Sequence, residues 1–268
     1  MFRDLLTLSS PGLFITGTDT GVGKTVIACA IAHQLRGTME SNSKHGPRVG
    51  VCKPLATGCR SDRSNLVSED SEALAHFAGC RESLDVINPI RFRDPLAPAV
   101  AAQRAGRPMD YAKIARSLEQ LDRTHDLLLI EGIGGVMVPI DPIDPELTVL
   151  ELIRAIGYPV VVVTRAGLGT LNHTAMTVRI LKQAGCRVVG LVVNYYEADS
   201  SGYLEVEEDL AMTTNRPWLT QQTGVEVLVT VPQCPVNVVR PQNGNIPGPI
   251  LDAMGTCHWP AVMSTPSR

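Results

Sequence analysis

An α/β fold with a doubly wound, mostly parallel sheet flanked by helices is predicted by two regular features of this 268-residue sequence. Short runs rich in Val, Ile and Leu alternate with segments of helical periodicity, which is typical of buried parallel strands joined by helices. A glycine-rich turn follows the first of these runs and leads directly into a helical pattern. Sheets of this kind bind ligands at the carboxyl ends of their strands, so we expect the functional residues there.

Five short strands account for the predicted sheet. Each is a run of β-branched or aliphatic residues that reads as a strand buried on both faces. The predicted strands cover residues 13–16, 49–52, 127–130, 160–164 and 188–193.

The helices between these strands are predicted from apolar residues at three- and four-residue spacing. The first begins after Thr25 and carries the apolar residues Val26, Ile27, Ala30, Ile31 and Leu35. The others are centred on residues 71–78, 111–121, 147–156 and 172–184. The sequence contains no internal repeat.

One large domain with a C-terminal tail is the predicted organisation. Residues 1–240 form a single P-loop-type α/β domain with the nucleotide and substrate sites, and residues 241–268 form a tail rich in Pro and Gly. We expect this tail to have little regular structure. The prolines begin to accumulate at Pro232 and continue to Pro266.

Charge and cysteine content exclude several classes of function. With 24 basic and 27 acidic residues, a net charge of −3 and no block of like charge, nucleic acid is not an expected partner. No apolar run reaches the length of a membrane span, and no signal peptide precedes the seven cysteines, which are odd in number and form no Cys-x-x-Cys pair. They indicate reduced thiols in a cytoplasmic protein that does not associate with a membrane.

The turn after the first strand has the properties of a phosphate-binding loop. Glycines let backbone N–H groups converge on phosphate oxygens, Lys24 adds a positive charge, and the Thr25 hydroxyl can ligate Mg²⁺ at the start of a helix. Five residues separate Gly17 from Gly23, whereas the usual spacing is four. The alternative is an ordinary strand–turn–helix that contains three glycines.

Lys53 ends the second predicted strand and is followed by Pro54 and Gly58. A lysine at this position can enter the crevice beside the phosphate loop and bind an anion. A solvated surface lysine is the equally weighted alternative.

Glu131 closes the third predicted strand before the glycines Gly132, Gly134 and Gly135. A carboxylate at this point would meet a Mg²⁺ ion held by Thr25. Asp70, in contrast, precedes a helical pattern in acidic surroundings, and a helix N-cap explains it without any further function.

The fourth strand end again places glycines before a helix, in residues 164–173. Free backbone N–H groups there could bind the carboxylate of a substrate. His173 has no second histidine or carboxylate at metal-binding spacing, so a structural role is the better interpretation.

These segments together resemble dethiobiotin synthetase, the ATP-dependent enzyme of biotin synthesis. The ordered set covers residues 13–232 and is more specific than any single motif, and the family's phosphate loop also has five residues between its glycines. The resemblance is carried by residues 17–25, Lys53-Pro54, Asp70, Asn88-Pro89, residues 131–135, residues 169–173 and Val193-Asn194.

The resemblance implies a Mg²⁺-dependent cyclo-ligase that forms dethiobiotin from 7,8-diaminononanoate, CO₂ and ATP. It implies a homodimer in which the substrate carboxylate binds across the dimer interface. The catalytic residues would be Lys24, Lys53 and Thr57, and the Mg²⁺ ligands would be Thr25, Asp70 and Glu131. Substrate would contact Lys53, Thr57, Gly169, Thr170, Leu171 and Asn172. ATP would contact Thr20, Gly21, Val22, Gly23, Lys24, Thr25, Glu131, Gly134, Asn194 and Pro232, with Asn194 at the adenine edge.

Two departures from the family pattern bear on the nucleotide site. Some members carry an acidic residue where this chain has Gly21, so any role of that side chain is absent. The segment at Pro232 reads Thr-Val-Pro and lacks the family's common Gly-x-Ile-Pro form. Recognition of the base is therefore less well defined than binding of the phosphates.

Three alternative functions fit the sequence less well. A regulatory ATPase of the partitioning type would need a second lysine early in its loop, where this chain has Thr18, Asp19 and Thr20. A glutamine-dependent amidase of the cobyrinate type would need an additional glutaminase domain, for which the chain is too short. A binding module without activity would have no use for the full set of charged and hydroxyl residues at the strand ends.

Overall fold

The computed structural model describes residues 6–37, 46–63, 65–194, 210–235 and 239–266. Strands and helices alternate along most of this length. In chain order they are β1 (Gly12–Gly17), α1 (Lys24–Gly37), β2 (Val49–Cys52), β3 (Leu55–Ala56), β4 (Arg60–Asp62), β5 (Asn65–Val67), α2 (Glu69–Ala78), α3 (Leu84–Ile87), β6 (Ile90–Arg91), α4 (Pro98–Arg104), α5 (Tyr111–Thr124), β7 (Leu127–Gly135), α6 (Val149–Ile156), β8 (Val160–Arg165), α7 (Thr170–Gln183), β9 (Val188–Asn194), α8 (Leu210–Thr223), β10 (Val227–Val231), α9 (Gly248–Met254) and α10 (Trp259–Val262).

Six strands form one parallel sheet in the order β10-β9-β8-β1-β7-β2. From β1 the strand order runs outward in opposite directions, through β7 to β2 on one side and through β8 to β10 on the other. Ligands bind beside such a point of reversal, at the carboxyl ends of the strands. The predicted doubly wound fold and its five strands are confirmed, and β10 adds a strand that was not predicted.

The core lies on both faces of this sheet because successive side chains of a strand point to opposite faces. In β1, Leu13 and Ile15 join a cluster with α1 and α2, whereas Phe14 joins a second cluster with α5 and α6. All three side chains are fully buried. The sheet is therefore covered on both sides, as its nearly continuous apolar strands require.

The prediction that the C-terminal tail has little regular structure is wrong for much of its length. Residues Pro241–Asn243 form a 3₁₀ turn, and α9 and α10 follow it. Trp259 is 1 % exposed, and its indole N–H donates to the carbonyl oxygen of Met254 at 2.8 Å. Ile250, Met254 and Trp259 belong to the same apolar cluster as α1.

The prediction for the tail was wrong because it relied on the number of prolines and not on their positions. Pro249 and Pro260 lie in the first turns of α9 and α10. A residue in the first turn has no intrahelical acceptor for its N–H, so the N–H that proline lacks is not missed there. These prolines begin helices and do not prevent them.

The helix α8, which contains a proline, was not predicted from the sequence. Pro217 stands inside this helix, where a missing N–H and a clash with the preceding turn normally argue against helix. The chain then continues into β10, which is the outermost strand next to β9. Within the described ranges, no helix is long and apolar enough to cross a membrane.

Candidate active site

The phosphate loop leaves β1 at the point where the strand order reverses. Its backbone turns at Gly21 and Gly23, whose φ angles of 74° and 91° favour glycine. At Gly23 a Cβ atom would also lie 2.2 Å from the side-chain nitrogen of Asn194. The loop conformation therefore requires glycine at both positions, and it opens α1 with Lys24 and Thr25.

Lys24 folds back over its own loop. Its Nζ donates to the carbonyl oxygen of Asp19 at 2.7 Å, and the side chain is buried. Burial lowers the pKa of Lys24 to about 8, with a smaller contribution from Lys53 and against the attraction of Glu131. An anion bound next to Lys24 would favour the charged ammonium and raise this pKa again.

Lys53, Asp70 and Glu131 form a compact charged cluster where β2 ends, α2 begins and β7 passes beside them. The Nζ of Lys53 lies 2.6 Å from Asp70 Oδ2 and 2.6 Å from Glu131 Oε1. The hydroxyl of Thr25 donates to the same Glu131 oxygen at 2.8 Å. Lys53 and Glu131 therefore both lie beside the phosphate loop, as the sequence predicted. Glu131 does not close its strand, however, because β7 continues through the glycines to Gly135.

Lys53 and Asp70 keep their charges in this cluster, whereas burial raises the pKa of Glu131 against the attraction of Lys53. Desolvation alone would lower the pKa of Lys53, but the carboxylates of Glu131 and Asp70 outweigh it and raise that pKa. Asp70 is less enclosed, and although burial opposes it, Lys53 and Thr25 lower the pKa of its carboxyl. Lys53 is therefore a permanent cation beside the phosphate loop.

Two features suit the cluster to a divalent cation. Glu131 Oε2 is buried and has no hydrogen-bond partner among the described residues, which leaves a carboxylate oxygen available as a ligand. Thr25 Oγ1 and Asp70 supply further hard oxygen ligands next to it. In the described part of the chain, no three Asp, Glu, His or Cys side chains are placed so that they could hold a metal ion together. Mg²⁺ typically needs only one or two carboxylates because phosphate and water complete its shell.

Asp70 does not cap its helix, so the capping interpretation is wrong. Ser68 occupies the N-cap position of α2, and Asp70 stands in the first turn. From there its carboxylate reaches Lys53. A carboxylate in the first turn is also favoured by the helix dipole.

The backbone that carries Lys53 is held by Asn88. Its side-chain amide donates to the carbonyl oxygens of Lys53 at 2.6 Å and Ile90 at 3.2 Å, and the residue is fully buried. The sequence pointed to Asn88 only as part of a motif, and this role was missed. Thr57 directly follows β3 and is half-buried.

The glycine turn after Glu131 approaches the phosphate loop. Gly134 has a φ of 59°, and a Cβ there would stand 2.8 Å from the Val138 side chain and 3.6 Å from the Thr20 hydroxyl. On the other side, Arg165 at the end of β8 donates to the carbonyl oxygen of Thr20 at 3.2 Å. Sequence reasoning did not single out Arg165, although it ends a strand beside the loop.

Asn194 is the last residue of β9, and its side chain holds the backbone of the phosphate loop. Its side chain is 2 % exposed and donates to the Val22 carbonyl oxygen at 3.0 Å. Contact with an adenine stays a prediction, because the described contact of Asn194 is with the loop backbone. Pro232, expected near the same base, is half-buried directly after β10.

The start of α7 is joined to the phosphate loop by hydroxyl groups. Thr164 Oγ1 lies 2.8 Å from the hydroxyls of Thr170 and Thr174 and accepts from Thr18 Oγ1 at 3.4 Å. Gly169 is the N-cap of α7, with a φ of 92° and no side chain to occupy the free N–H groups.

The residues around this helix start are open to solvent. Leu168 is 95 % exposed, Asn172 is exposed and Leu171 is half-buried. His173 is also exposed, and its backbone N–H donates to the carbonyl oxygen of Gly169 at 3.2 Å. The structural role of the His173 side chain stays a prediction.

Comparison with known proteins places this site in a family. A family model described as an AAA domain matches residues 11–239. The ATP-dependent dethiobiotin synthetase BioD of Thermodesulfovibrio yellowstonii is 37% identical over 225 residues, which cover 82% of this chain and 88% of that relative. BioD of Rhodococcus jostii is 38% identical over 221 residues, which cover 82% of this chain and 85% of that relative.

The chain belongs to the dethiobiotin synthetase family. Membership confirms the family prediction made from the ordered motifs, and it makes the chain an enzyme of the ligase class. The two relatives are matched over 88% and 85% of their own sequences, so the correspondence is not limited to the phosphate loop.

Solved structures add the fold. The septum site-determining protein MinD of Pyrococcus horikoshii, solved with Mg-ADP, covers 92% of this chain with a TM-score of 0.51 and 16% identity, and 94% of that protein is matched. The MinC:MinD complex of Aquifex aeolicus covers 97% of this chain and 99% of the matched chain, with a TM-score of 0.55 and 16% identity. At this identity the likeness concerns architecture alone, and it confirms the predicted P-loop fold.

Proposed function

We propose that this chain catalyses the ATP- and Mg²⁺-dependent closure of the ureido ring of dethiobiotin from 7,8-diaminononanoate and CO₂, with release of ADP and phosphate. One observation carries the proposal: Glu131 joins the phosphate-loop residue Thr25 to Lys53 through a single carboxylate oxygen. This geometry supports a site in which a cation and a metal-binding carboxylate would act at the same end of a triphosphate. Family membership supplies the substrates.

The phosphate loop would hold ATP. Backbone N–H groups of residues 20–25 would surround the phosphates at the N-terminus of α1, where the helix dipole also favours negative charge. Lys24 would leave the Asp19 carbonyl for the phosphate oxygens. Gly134 would allow the turn after Glu131 to approach the nucleotide, and Asn194 and Pro232 would lie near the base.

Thr25, Asp70 and Glu131 would hold Mg²⁺. When bound, the ion would neutralise charge on the β- and γ-phosphates and favour phosphoryl transfer. Lys53 now lies between the two carboxylates, so its ammonium would turn from them toward the substrate. Its positive charge would then face the same region as the phosphates.

The reaction itself needs three steps. An amine of the substrate adds to CO₂ and loses a proton, which gives a carbamate. A carbamate oxygen attacks the γ-phosphorus and ADP leaves, which gives a carbamic–phosphoric mixed anhydride. The second amine then attacks the carbonyl carbon and loses a proton, the ring closes and inorganic phosphate leaves.

The protein's part in these steps is positioning and electrostatics. Phosphoryl transfer gains most from groups that are already aligned with the developing charge. Lys24 and Lys53 would bracket the negative charge that passes between the carbamate and the γ-phosphate. Thr57 would orient the carbamate or the diamine through its hydroxyl group.

The substrate carboxylate would bind to the start of α7. The free N–H groups of residues 169–172 and the positive end of the helix dipole suit an anion, and this segment is solvent-accessible. The family resemblance supports a homodimer in which this pocket serves the partner's phosphate loop. The same resemblance and the reduced cysteines support action in the cytoplasm.

The alternative of a regulatory partitioning-type ATPase rests on fold alone. The MinD structures share the architecture at 16% identity, whereas the family relatives reach 37% and 38%. The loop also lacks the early second lysine that such an ATPase would use. We therefore place it second.

Incubation of the protein with 7,8-diaminononanoate, bicarbonate, Mg²⁺ and ATP tests the proposal, with the ring-closed product detected by mass spectrometry. We expect one ADP released for each dethiobiotin formed and no product without the diamine. Diamine-dependent ADP release without the ring-closed product would reject this substrate assignment and retain a ligase. ATP hydrolysis that ignores the diamine would favour the regulatory ATPase.

A further inference from the structure

Cys80 and His125 form a thiol–imidazole pair outside the nucleotide site. Cys80 follows the C-terminal cap of α2, and His125 is the C-cap residue of α5. The two residues are 45 positions apart, yet Cys80 Sγ lies 3.6 Å from His125 Nε2. This is hydrogen-bonding distance for sulfur, and it joins a potential nucleophile to a potential base.

The opposite ring nitrogen determines what Nε2 can do. His125 Nδ1 lies 3.1 Å from the Leu121 carbonyl oxygen and 2.8 Å from the Thr124 hydroxyl. A carbonyl oxygen only accepts, so Nδ1 carries the proton in the neutral ring. Nε2 is then the acceptor and faces the thiol.

Further groups around the pair favour a negative sulfur and a positive ring. Backbone N–H groups of Glu82 and Val51 are directed at the Cys80 sulfur. The charged groups that face His125 are the carboxylates of Glu82 and Asp126. Cys52, on β2, is the other titratable group near Cys80 and is fully buried.

The pKa directions agree with this geometry. Burial alone would raise the pKa of the Cys80 thiol, but the hydrogen bond with His125 and the two backbone donors outweigh it and lower that pKa. The same contact with Cys80 raises the pKa of His125. Each group therefore stabilises the charged form of the other.

Two other cysteines provide an internal comparison. Cys186 and Cys257 are half-buried, like Cys80. No imidazole forms a hydrogen bond with either sulfur in the described structure, and burial raises the pKa of both thiols. Exposure alone therefore does not distinguish Cys80 from them, whereas the contact with His125 does.

We propose that Cys80 is a nucleophilic thiol activated by His125, and that it is a covalent modification site for small electrophiles and low-molecular-weight disulfides. In the disulfide case the Cys80 sulfur attacks one sulfur of the reagent and forms a new S–S bond. The original S–S bond breaks, and the departing thiolate takes up a proton. The proton of Cys80 passes to His125 Nε2 and from there to solvent.

The site is separate from the proposed reaction centre. His125 precedes β7, whereas Glu131 lies four residues beyond Leu127, the first residue of that strand, which is about 13 Å at the rise of an extended chain. The proposal does not depend on the substrates of the enzyme. Its failure would leave the proposed function untouched.

Site-resolved alkylation of the folded protein tests the proposal. Limiting iodoacetamide at pH 7, followed by peptide mass spectrometry, gives a rate for each cysteine. We expect Cys80 to react at least about tenfold faster than Cys186 and Cys257, since the thiolate is the nucleophile and one pKa unit changes its fraction about tenfold. In denaturant the three rates should converge. Equal rates in the folded protein, or a protected Cys80, would overturn the proposal.

Two variants separate activation from mere exposure. His125→Asn keeps an amide that can donate to the Leu121 carbonyl oxygen, and it should slow Cys80 about tenfold while Cys186 and Cys257 react as before. Those two rates also report that the fold is intact. An unchanged Cys80 rate in this variant would overturn the role of His125.

With glutathione disulfide as the probe, we expect a mixed disulfide at Cys80 that dithiothreitol reverses and that Cys80→Ser abolishes. A mixed disulfide at Cys186 or Cys257 in its place would contradict the assignment.

Discussion

Lys53 and Glu131 form a salt bridge of 2.6 Å in which only 5% and 0% of the two side chains are exposed. A buried pair of this kind adds little net stability, but removal of one partner leaves the other charge without compensation. The same Glu131 oxygen accepts from Thr25. A single buried carboxylate thus links the stability of the fold to the geometry of the nucleotide site.

Neutral replacements of Glu131 and Asp70 should lower the free energy of unfolding by different amounts, but both should weaken Mg²⁺ binding. Glu131→Gln should lower the free energy of unfolding by roughly 3 kcal/mol, because Lys53 stays buried beside a neutral amide. Asp70→Asn should cost no more than about 1 kcal/mol, because Asp70 is 46% exposed. Both should raise the Mg²⁺ concentration needed for half-maximal activity, since an amide ligates a hard cation less well than a carboxylate.

Chemical denaturation and a Mg²⁺ titration of activity measure the two effects separately. A titration that is unchanged in both variants would remove Asp70 and Glu131 from the metal site.

Lys24→Ala should reduce kcat/KM for ATP by at least about a hundredfold, the loss expected for one preorganised electrostatic group. Steady-state kinetics measures this. Lys182→Ala is the matched control, because that lysine lies at the far end of α7 and its Nζ donates to the Thr223 carbonyl oxygen. Wild-type turnover in Lys24→Ala would refute the phosphate-binding role of the loop.

Nucleotide binding should be coupled to proton uptake by Lys24. Its pKa of about 8 in the free protein means that about half of the groups are neutral at pH 8. Phosphates favour the charged form and raise this pKa, so binding at pH 8 should take up about half a proton and affinity should fall as the pH rises above 8. Calorimetry in buffers of different ionisation enthalpy measures the uptake. Lys24→Met should abolish it, and an uptake that persists in Lys24→Met would assign it to another group.

A shared active site predicts complementation between two inactive subunits. Lys24→Ala disables the phosphate loop, and Gly169→Asp places a carboxylate where the substrate carboxylate would bind. When the two variants exchange subunits, a mixed dimer contains one site with both defects and one with neither, so part of the activity should return.

Gly169→Asn is the control for this experiment, because φ is 92° at this position and asparagine resembles aspartate in shape without its charge. It should retain more activity than Gly169→Asp. Failure to recover activity after demonstrated subunit exchange, or a fully active monomer, would reject the shared site.

Patterns local in sequence predicted the centre of the fold well. Each strand around β1 is a continuous apolar run, and the carboxyl ends of parallel strands must meet at one edge. The convergence of Lys53 and Glu131 follows from these facts, because β2 and β7 are neighbours. The sequence predicted that both residues lie beside the phosphate loop, but not that they form an ion pair with each other.

Contacts between distant segments could not be predicted in the same way. Local sequence around Asp70 fits a helix start, and only its contact with Lys53 reveals another role. Cys80 and His125 likewise meet only in the folded chain. In the tail, the position of Pro249 and Pro260 within a turn decides whether they interrupt or begin a helix.

The order of synthesis gives the C-terminal helices a further consequence. Gly12 and Ser264 hydrogen-bond each other through their backbones, and Gln34 of α1 donates to the carbonyl oxygen of Leu251 in α9. A ribosome makes β1 and α1 well before the segment that covers them. Until residue 264 has left the ribosome, part of the apolar surface of α1 has no partner and is open to non-native association. The segment that carries the phosphate loop is therefore translated long before the helices that complete its packing.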